Sequence, residues 1–418
     1  MPILFNIEND YHCQQELKHS GCECLFADLC DFWREPVKST LKHLVDSGRP
    51  LTLQAMLPVI HSGDATTTKG WCLIHERRCQ LCKTNIHVAG PLCQPWAPNG
   101  TRAGTADGRC MLPLGAWAAT VLQLEHDALL LENSDLFPLC VMQSLLGSKY
   151  AVVDSMILSG TQFGWPGRRK RFFGLGLHLK IVVRTYSTMA NTIPLFFRTV
   201  TMHYNSFLIA DKDPELKAEF ESRFDEMAGR KKSRASLEDL TVERARERSA
   251  KEGSWDIALT ELEFDHWREY RDATPLCQGT FSLTQSAANN HAVSCTQGIM
   301  YSIIKNPSVH YYAPPPEGGI RRAWTASELA LLQGFPILRR LASPFGSPRV
   351  CCTYAVTQVP LFGRSYRTVN SQIGNSQQVP VIGAVLLYVL VCVETSGLQL
   401  DDPDGPFLAF CRARVLRD

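Results

Sequence analysis

The sequence has no apolar run long enough to span a membrane, no excess of charge of one sign and no leader-like N-terminus. Each absence removes a class of function. Its longest apolar stretch, Val379 to Val393, falls short of the ~18 residues that a membrane span needs and reads as a buried helix; no membrane partner is expected. Lys and Arg number 43 against 41 Asp and Glu, a formal net charge of +2. That balance excludes a uniformly basic nucleic-acid binder and leaves only local patches. The N-terminus lacks the charged-then-apolar pattern of a signal peptide. The 16 cysteines among 418 residues are scattered, unlike the short-chain framework of a disulfide-stapled secreted domain. A reducing compartment is expected, not secretion, and the length allows two or more domains.

What is present is organised around one stretch. From Thr84 to Gly100, TNIHVAGPLCQPWAPNG, an apolar, β-leaning run (Asn85 to Ala89) stops at Gly90-Pro91. It empties into turn formers, Pro95, Pro98, Asn99 and Gly100, that display one thiol, Cys93. Chemistry in open α/β sheets collects at the carboxyl ends of strands, so a thiol there is a candidate nucleophile. Read by itself, the same cysteine is a small loop hydrophobe. Upstream, a strand at Ile3-Leu4-Phe5 leads to Glu8, and a second at Cys24-Leu25-Phe26-Ala27 leads to Asp28-Leu29. Carboxylates in such places bind ribose and adenine in nucleotide-binding sheets, or cap helices. Downstream, Leu112 to Leu124 reads as a helix. Ala128 to Leu131 reads as a buried strand ending in Glu132-Asn133, a carboxylate that a parallel sheet sets beside the thiol loop. Another strand, Tyr150 to Leu158, precedes the cationic run Arg168-Arg169-Lys170-Arg171. Guanidinium forks there suit a base carbonyl and phosphates; the run also reads as a solvated basic turn or a crude nuclear signal.

Residues 30 to 83 contain Cys72-x2-His75-x3-Cys79-x2-Cys82. Thiolate and imidazole at such spacings suit tetrahedral zinc. Standard finger spacings are absent, and scattered loop cysteines without metal are the preferred reading. Asp211 to Gly253 is charge-dense and poor in apolar residues, which suits a solvated helical insertion or a partly disordered one. Thr325, with Glu328 three residues on, starts a helix through a capping box; Gly334 closes it and Pro336 stops it. Gln372-Ile373-Gly374-Asn375-Ser376 is a turn before the apolar helix.

Taken in chain order, these pieces resemble the cytosine-5 DNA methyltransferases. Gly90-Pro91-Leu92-Cys93-Gln94 stands where that family has Gly-Pro-Pro-Cys-Gln. Glu132-Asn133-Ser134 stands for Glu-Asn-Val. Arg169 and Arg171 keep the spacing of Gln-x-Arg-x-Arg, with Gly167 replacing the glutamine. Arg322 to Pro336 matches the ninth family motif, and Gln372 to Asn375 the tenth, Gln-x-Gly-Asn. The resemblance implies an α/β fold built on a Rossmann-like, S-adenosylmethionine-dependent methyltransferase sheet, with a smaller target-recognition domain. It implies that Glu8, Asp28, Leu29, Pro91 and Asn375 line the cofactor site. It also implies a mechanism in which Cys93 adds to C6 of cytosine, Glu132 steadies N3, and Arg169 and Arg171 hold base and phosphate. The base must leave the duplex stack to be reached.

One part of the family pattern is missing: the Phe-x-Gly-x-Gly turn, whose glycines let the backbone approach the methionine end of the cofactor. Gly174-Leu175-Gly176 and Phe345-Gly346-Ser347 have the wrong context. The expectation is a chain that opens on the family's second strand, lacks the first, and is N-terminally truncated relative to an active enzyme. Its expected organisation is a catalytic domain over 1–177 with an insertion at 30–83, a target-recognition-like domain over 178–318, a return to the catalytic domain over 319–396, and a tail. Three readings follow: a nuclear, or alternatively cytoplasmic, DNA methyltransferase; a relative that modifies tRNA; and an inactive scaffold that binds nucleic acid. The absent glycine turn, Leu92 and Gly167 favour the last.

Overall fold

The computed structural model describes residues 3–19, 21–98, 100–209, 218–220, 262–263, 265–266, 269–270, 279–284, 286, 288, 298–303, 309–312, 321–335, 373 and 376–395. The chain forms two compact units. One is Met1–Leu158, Lys170–Phe197 and Ile382–Asp418; the other is Ser159–Arg169 and Arg198–Val381.

The first unit holds two four-stranded sheets. In chain order the strands are β1 (Phe5–Ile7), β2 (Cys24–Phe26), β3 (Lys69–Cys72), β4 (Arg77–Gln80), β5 (Ile86–Ala89), β6 (Ala128–Ser134), β7 (Tyr150–Leu158) and β8 (Arg171–His178). One sheet has the order β1-β2-β3-β4 and the other β5-β6-β8-β7. β1 and β2 run parallel, as do β5 and β6, and β8 runs antiparallel to both of its neighbours. β6 is apolar and fully buried from Ala128 to Leu131, which is the continuous apolar run of a strand covered on both faces. It extends three residues beyond the expected end and so takes in Glu132 and Asn133.

The helices of this unit are α1 (Tyr11–His19), α2 (Val37–Asp46), α3 (Leu53–His61), α4 (Gly108–Leu124) and α5 (Leu139–Leu146). α4 is the centre of the core. It starts at Asp107, whose carboxylate accepts from the Arg109 amide at 3.2 Å, a side-chain cap for an orphan donor. Its buried face packs with Met56 and Ile60 of α3, with Leu129 and Leu131, and with Met142 and Leu145 of α5. Residues 30–83, expected as an insertion, supply α2, α3 and the β3-β4 hairpin, which adds to the outer edge of β2. Gly174-Leu175-Gly176 lies inside β8. A Cβ at Gly174 would come within 2.6 Å of the Met142 sulfur, so that glycine serves strand-to-helix packing.

The Rossmann-like sheet is thus in two pieces. Among the described residues, β1 pairs only with β2, and β5 only with β6. The seam between them is aromatic. The Phe5 ring lies 6.0 Å from His87 and 6.3 Å from His126, and the two imidazoles stack at 4.5 Å. Trp117 donates to His87 Nε2 at 3.2 Å, and the Thr84 amide to His126 Nδ1 at 3.0 Å. Burial holds His87 at a pKa of about 4. Burial, followed by the neighbouring His87, takes His126 to about 2. Both rings are neutral.

In the second unit, strands Gly279–Ser282, Val309–Tyr312 and Arg321–Ala323 form an antiparallel sheet. Trp324 is completely buried and donates to Thr280 Oγ1 at 3.2 Å. The helix Ala326–Leu332 follows, with the expected capping box of Thr325 and Glu328. Glu328 also accepts from the Ile209 amide at 2.7 Å. The apolar stretch is the helix Val379–Cys392. The charge-dense segment Asp211 to Gly253 lies outside the described residues apart from 218–220. No described helix is long and apolar enough to cross a membrane.

Candidate functional site at the sheet rim

The thiol loop begins where β5 ends. Ala89 pairs with Leu131, so Gly90 and Glu132 emerge side by side from adjacent parallel strands. The Asn133 side chain donates to the Pro91 carbonyl at 3.4 Å and ties the loop to the end of β6. Beyond Cys93 the chain turns back on itself: the amides of Trp96 and Ala97 both donate to the Cys93 carbonyl at 3.0 Å. Trp96 is buried, its ring 4.8 Å from Phe137 in an edge-on contact, and Phe137 lies 5.4 Å from Phe172. This aromatic wedge gives a proline-rich loop a fixed seat. Gly100 is required by close approach, since a Cβ there would fall 1.8 Å from the Gln94 carbonyl oxygen.

Antiparallel pairing sets Arg171, the first residue of β8, opposite Ser134, the last of β6. From there Arg171 Nε reaches Glu132 Oε1 at 3.0 Å, with both side chains mostly shielded from solvent. A shielded, charge-assisted pair holds the carboxylate in one orientation. Cys93 is half-buried, whereas Cys110 in the first turn of α4 is buried. Burial, then the Asp107 carboxylate, pushes the Cys110 thiol up to about 12. That environment disfavours the thiolate at Cys110.

The expected cofactor residues also stand at strand ends. Ile7 pairs with Phe26, so Glu8 and Asp28 follow neighbouring strands at the same end of the sheet, Asp28 one position further on. Glu8 Oε1 accepts from the Asp10 amide at 2.9 Å, and Asp28 Oδ1 from the Cys30 amide at 2.8 Å. Each carboxylate caps a local turn at the place where a sheet of this kind meets a nucleoside. Leu29 is half-buried against the core beside them. These residues fit the nucleoside half of S-adenosylmethionine; no glycine turn in the sequence serves the methionine half. Asn375 lies outside the described residues.

Arg169 belongs to the second unit. It is buried, its amide donates to Ser159 Oγ at 3.2 Å, and its guanidinium donates to the Ile303 carbonyl at 2.6 Å. Gln378 joins the same loop: it accepts from the Gly160 amide at 2.7 Å and donates to the Gly167 carbonyl at 2.9 Å. A Cβ at position 167 would sit 2.9 Å from the Gln378 amide nitrogen. Gly167 thus leaves room for Gln378, a partner that the sequence pattern did not reveal.

The candidate metal ligands need one correction. Cys72, His75 and Cys79 do gather, but Cys82 is not in the group; Cys24 is. β4 ends at Gln80, so Cys82 has left the hairpin and is exposed. Pairing of Phe26 with Cys72 brings β2, and with it Cys24, to the hairpin turn. The Cys22-x-Cys24 spacing at a strand start was the only available hint.

A two-piece Rossmann-like sheet with a thiol, a carboxylate and a guanidinium at its carboxyl rim defines an α/β fold of the methyltransferase class. The C-5 cytosine-specific DNA methylase model matches residues 67–338, more than half of the 418 residues. The chain belongs to that family, which transfers methyl groups and uses S-adenosylmethionine. It is similar in structure to the Dnmt2 methyltransferase of S. pombe, at 14% identity and a TM-score of 0.40, over 93% of this chain and 91% of that one. It is also similar to the methyltransferase EhMeth of Entamoeba histolytica, at 13% identity and a TM-score of 0.40, over 92% and 89%. No curated protein matches.

Proposed function

We propose that the protein is a DNA (cytosine-5) methyltransferase in which Cys93 is the nucleophile. The observation that carries this reading is the rim itself: the Cys93 loop bound to Asn133 through Pro91, beside the Glu132–Arg171 pair. S-adenosylmethionine, when bound, supplies an electrophilic methyl group. Cytosine C5 is too poor a nucleophile to take it unaided. The Cys93 thiolate adds to C6, and the displaced electron pair builds up at C5. Glu132, oriented by Arg171, gives its carboxyl proton to N3 and accepts a hydrogen bond from the exocyclic amine, which neutralises that charge. C5 takes the methyl, a base removes the C5 proton, and the C6–S bond breaks to return the thiolate. Arg171 faces the base, while Arg169 steadies the 159–169 loop through Ser159 and Ile303. Glu8, Asp28, Leu29 and Pro91 hold the nucleoside. The part of the chain over 178–318 selects the target, and the place of action is the nucleus.

The test is transfer of labelled methyl groups to duplex DNA and to tRNA side by side, with trapping on DNA carrying 5-fluorocytosine. DNA should be labelled, and Cys93→Ser should lose both transfer and trapping, by on the order of 10⁴-fold or more. Labelling of tRNA alone would move the protein to the RNA-directed branch. One observation favours a second reading, a scaffold that binds nucleic acid without catalysis: among the described residues β1 and β5 do not pair, so the sheet is in two pieces. Calorimetric titration showing no S-adenosylmethionine binding at millimolar concentration would establish it.

A further inference from the structure

We propose that Cys24, Cys72, His75 and Cys79 form a structural zinc site that clips the β3-β4 hairpin onto β2. The argument is first geometric. The Sγ atoms of Cys79, Cys72 and Cys24 lie 3.4, 3.5 and 3.7 Å from His75 Nδ1. All four ligand atoms fall within 4.8 Å of one another. A tetrahedral zinc with the usual Zn–S and Zn–N bond lengths requires S···N edges of ~3.6 Å. Three sulfurs around one imidazole nitrogen at that spacing already have the shape of the site.

The second argument is architectural. Cys24 opens β2, Cys72 ends β3, His75 sits in the turn, and Cys79 lies in β4. The ligands thus come from every strand that the hairpin attachment involves. Only one residue pair, Phe26 with Cys72, joins β2 to β3 in register. The apolar cluster beneath is small: Phe26, Phe32, Cys72 and Leu81 are its fully buried members. A hairpin with so little core is commonly held by a cross-link or a metal. The turn is already shaped for it. The Leu73 amide donates to the Leu25 carbonyl at 2.7 Å, and Glu76 takes a left-handed φ of 49° that swings the chain back towards Cys79.

The ligand chemistry also agrees. Three soft sulfurs and one imidazole in a tetrahedral cage select zinc over magnesium or calcium. What the metal does follows from its place: β2 leads within two residues to Asp28, so a hairpin locked to β2 steadies that strand end. The inference does not depend on the methyltransferase reading, because metal content is measured without turnover.

The experiment is elemental analysis of the full chain purified without chelators. It should be combined with titration of released metal by 4-(2-pyridylazo)resorcinol and with the visible spectrum after cobalt substitution. One zinc per chain is expected. Cys24→Ser, Cys79→Ser and His75→Ala should each lose it, and Cys82→Ser should keep it. Should the ligand variants fail to fold, the wild-type cobalt spectrum still decides, since its charge-transfer intensity counts thiolates and should report three. Wild-type protein without zinc after exposure to it overturns the proposal, as does a disulfide among these cysteines. Retention by Cys24→Ser with loss from Cys82→Ser would overturn the ligand set.

Discussion

The two sheets of the first unit solve the same problem in opposite ways. In the β5-β6-β8-β7 sheet, β6, β8 and β7 run seven, eight and nine residues, and β6 and β8 are covered along nearly their whole length. In the other sheet β1 and β2 have three residues each and β4 is largely exposed. The long strands are held by apolar burial, at about 1.5–3 kcal/mol for each fully buried large side chain. Of the short ones, β2 buries Leu25 and Phe26, but β1 and β4 bury no side chain fully, and this sheet adds capping carboxylates, a tight turn and the Cys/His cluster. The proposed chemistry divides along nearly the same line: the nucleophile stands on the well-packed sheet, where a fixed geometry matters most, and the nucleoside carboxylates Glu8 and Asp28 on the lightly packed one.

That contrast can be broken in three ways, from the largest expected effect to the smallest. Glu132→Gln keeps the shape of the rim but removes the charge that Arg171 holds. Methyl transfer should fall by about 10²–10⁴-fold with S-adenosylmethionine affinity unchanged, read by single-turnover transfer alongside calorimetry. A loss confined to cofactor affinity would put Glu132 on the wrong side of the division. Leu130→Ala empties a site that is 1% exposed at the centre of β6. It should destabilise the unit by about 2–5 kcal/mol, measured by urea unfolding. Removing metal from the hairpin should instead raise hydrogen exchange locally, around residues 69–82, as a low-stability region does. Equal, global effects of the two changes would erase the distinction between the sheets.

The third test addresses the seam. His87 and His126 are neutral there because burial lowers their pKa values, to about 4 and about 2. The folded state therefore binds fewer protons than the unfolded chain. This stabilisation is fully present above an unfolded pKa of about 6.5 and is lost as pH falls through about 4. The loss should be on the order of 1–3 kcal/mol, visible as a falling melting temperature between pH 6.5 and 4. His126→Gln should flatten that slope. A slope unchanged by the substitution would show that the seam is not where the acid sensitivity arises.

The strand end before Cys93 and the helix start at Thr325 were readable in advance because their signals are local. An apolar run stopped by Gly90-Pro91 marks a strand end, and Thr325 with Glu328 marks a helix start, each within a few residues. The misreadings came where partners are distant. Cys24 lies 51 residues from His75, so spacing favoured Cys82, only three residues beyond Cys79. Gln378 lies 218 residues from Gly160, and no local pattern announces it. Arg169 and Arg171 looked equivalent at their spacing of two. Only Arg171 belongs to β8, where antiparallel pairing delivers it to Glu132, while the guanidinium of Arg169 is taken by a backbone carbonyl.

The amino-acid sequence alone determined the family, the strand-and-loop setting of Cys93 and the Thr325–Glu328 capping box, because each is written in short-range patterns of turn formers, apolar runs and cap residues. Only the tertiary structure decided which carboxylate meets which guanidinium, that Cys24 completes the Cys/His group, and that the sheet divides at an aromatic seam. Those outcomes depend on strand register, and register is set by burial across the whole unit.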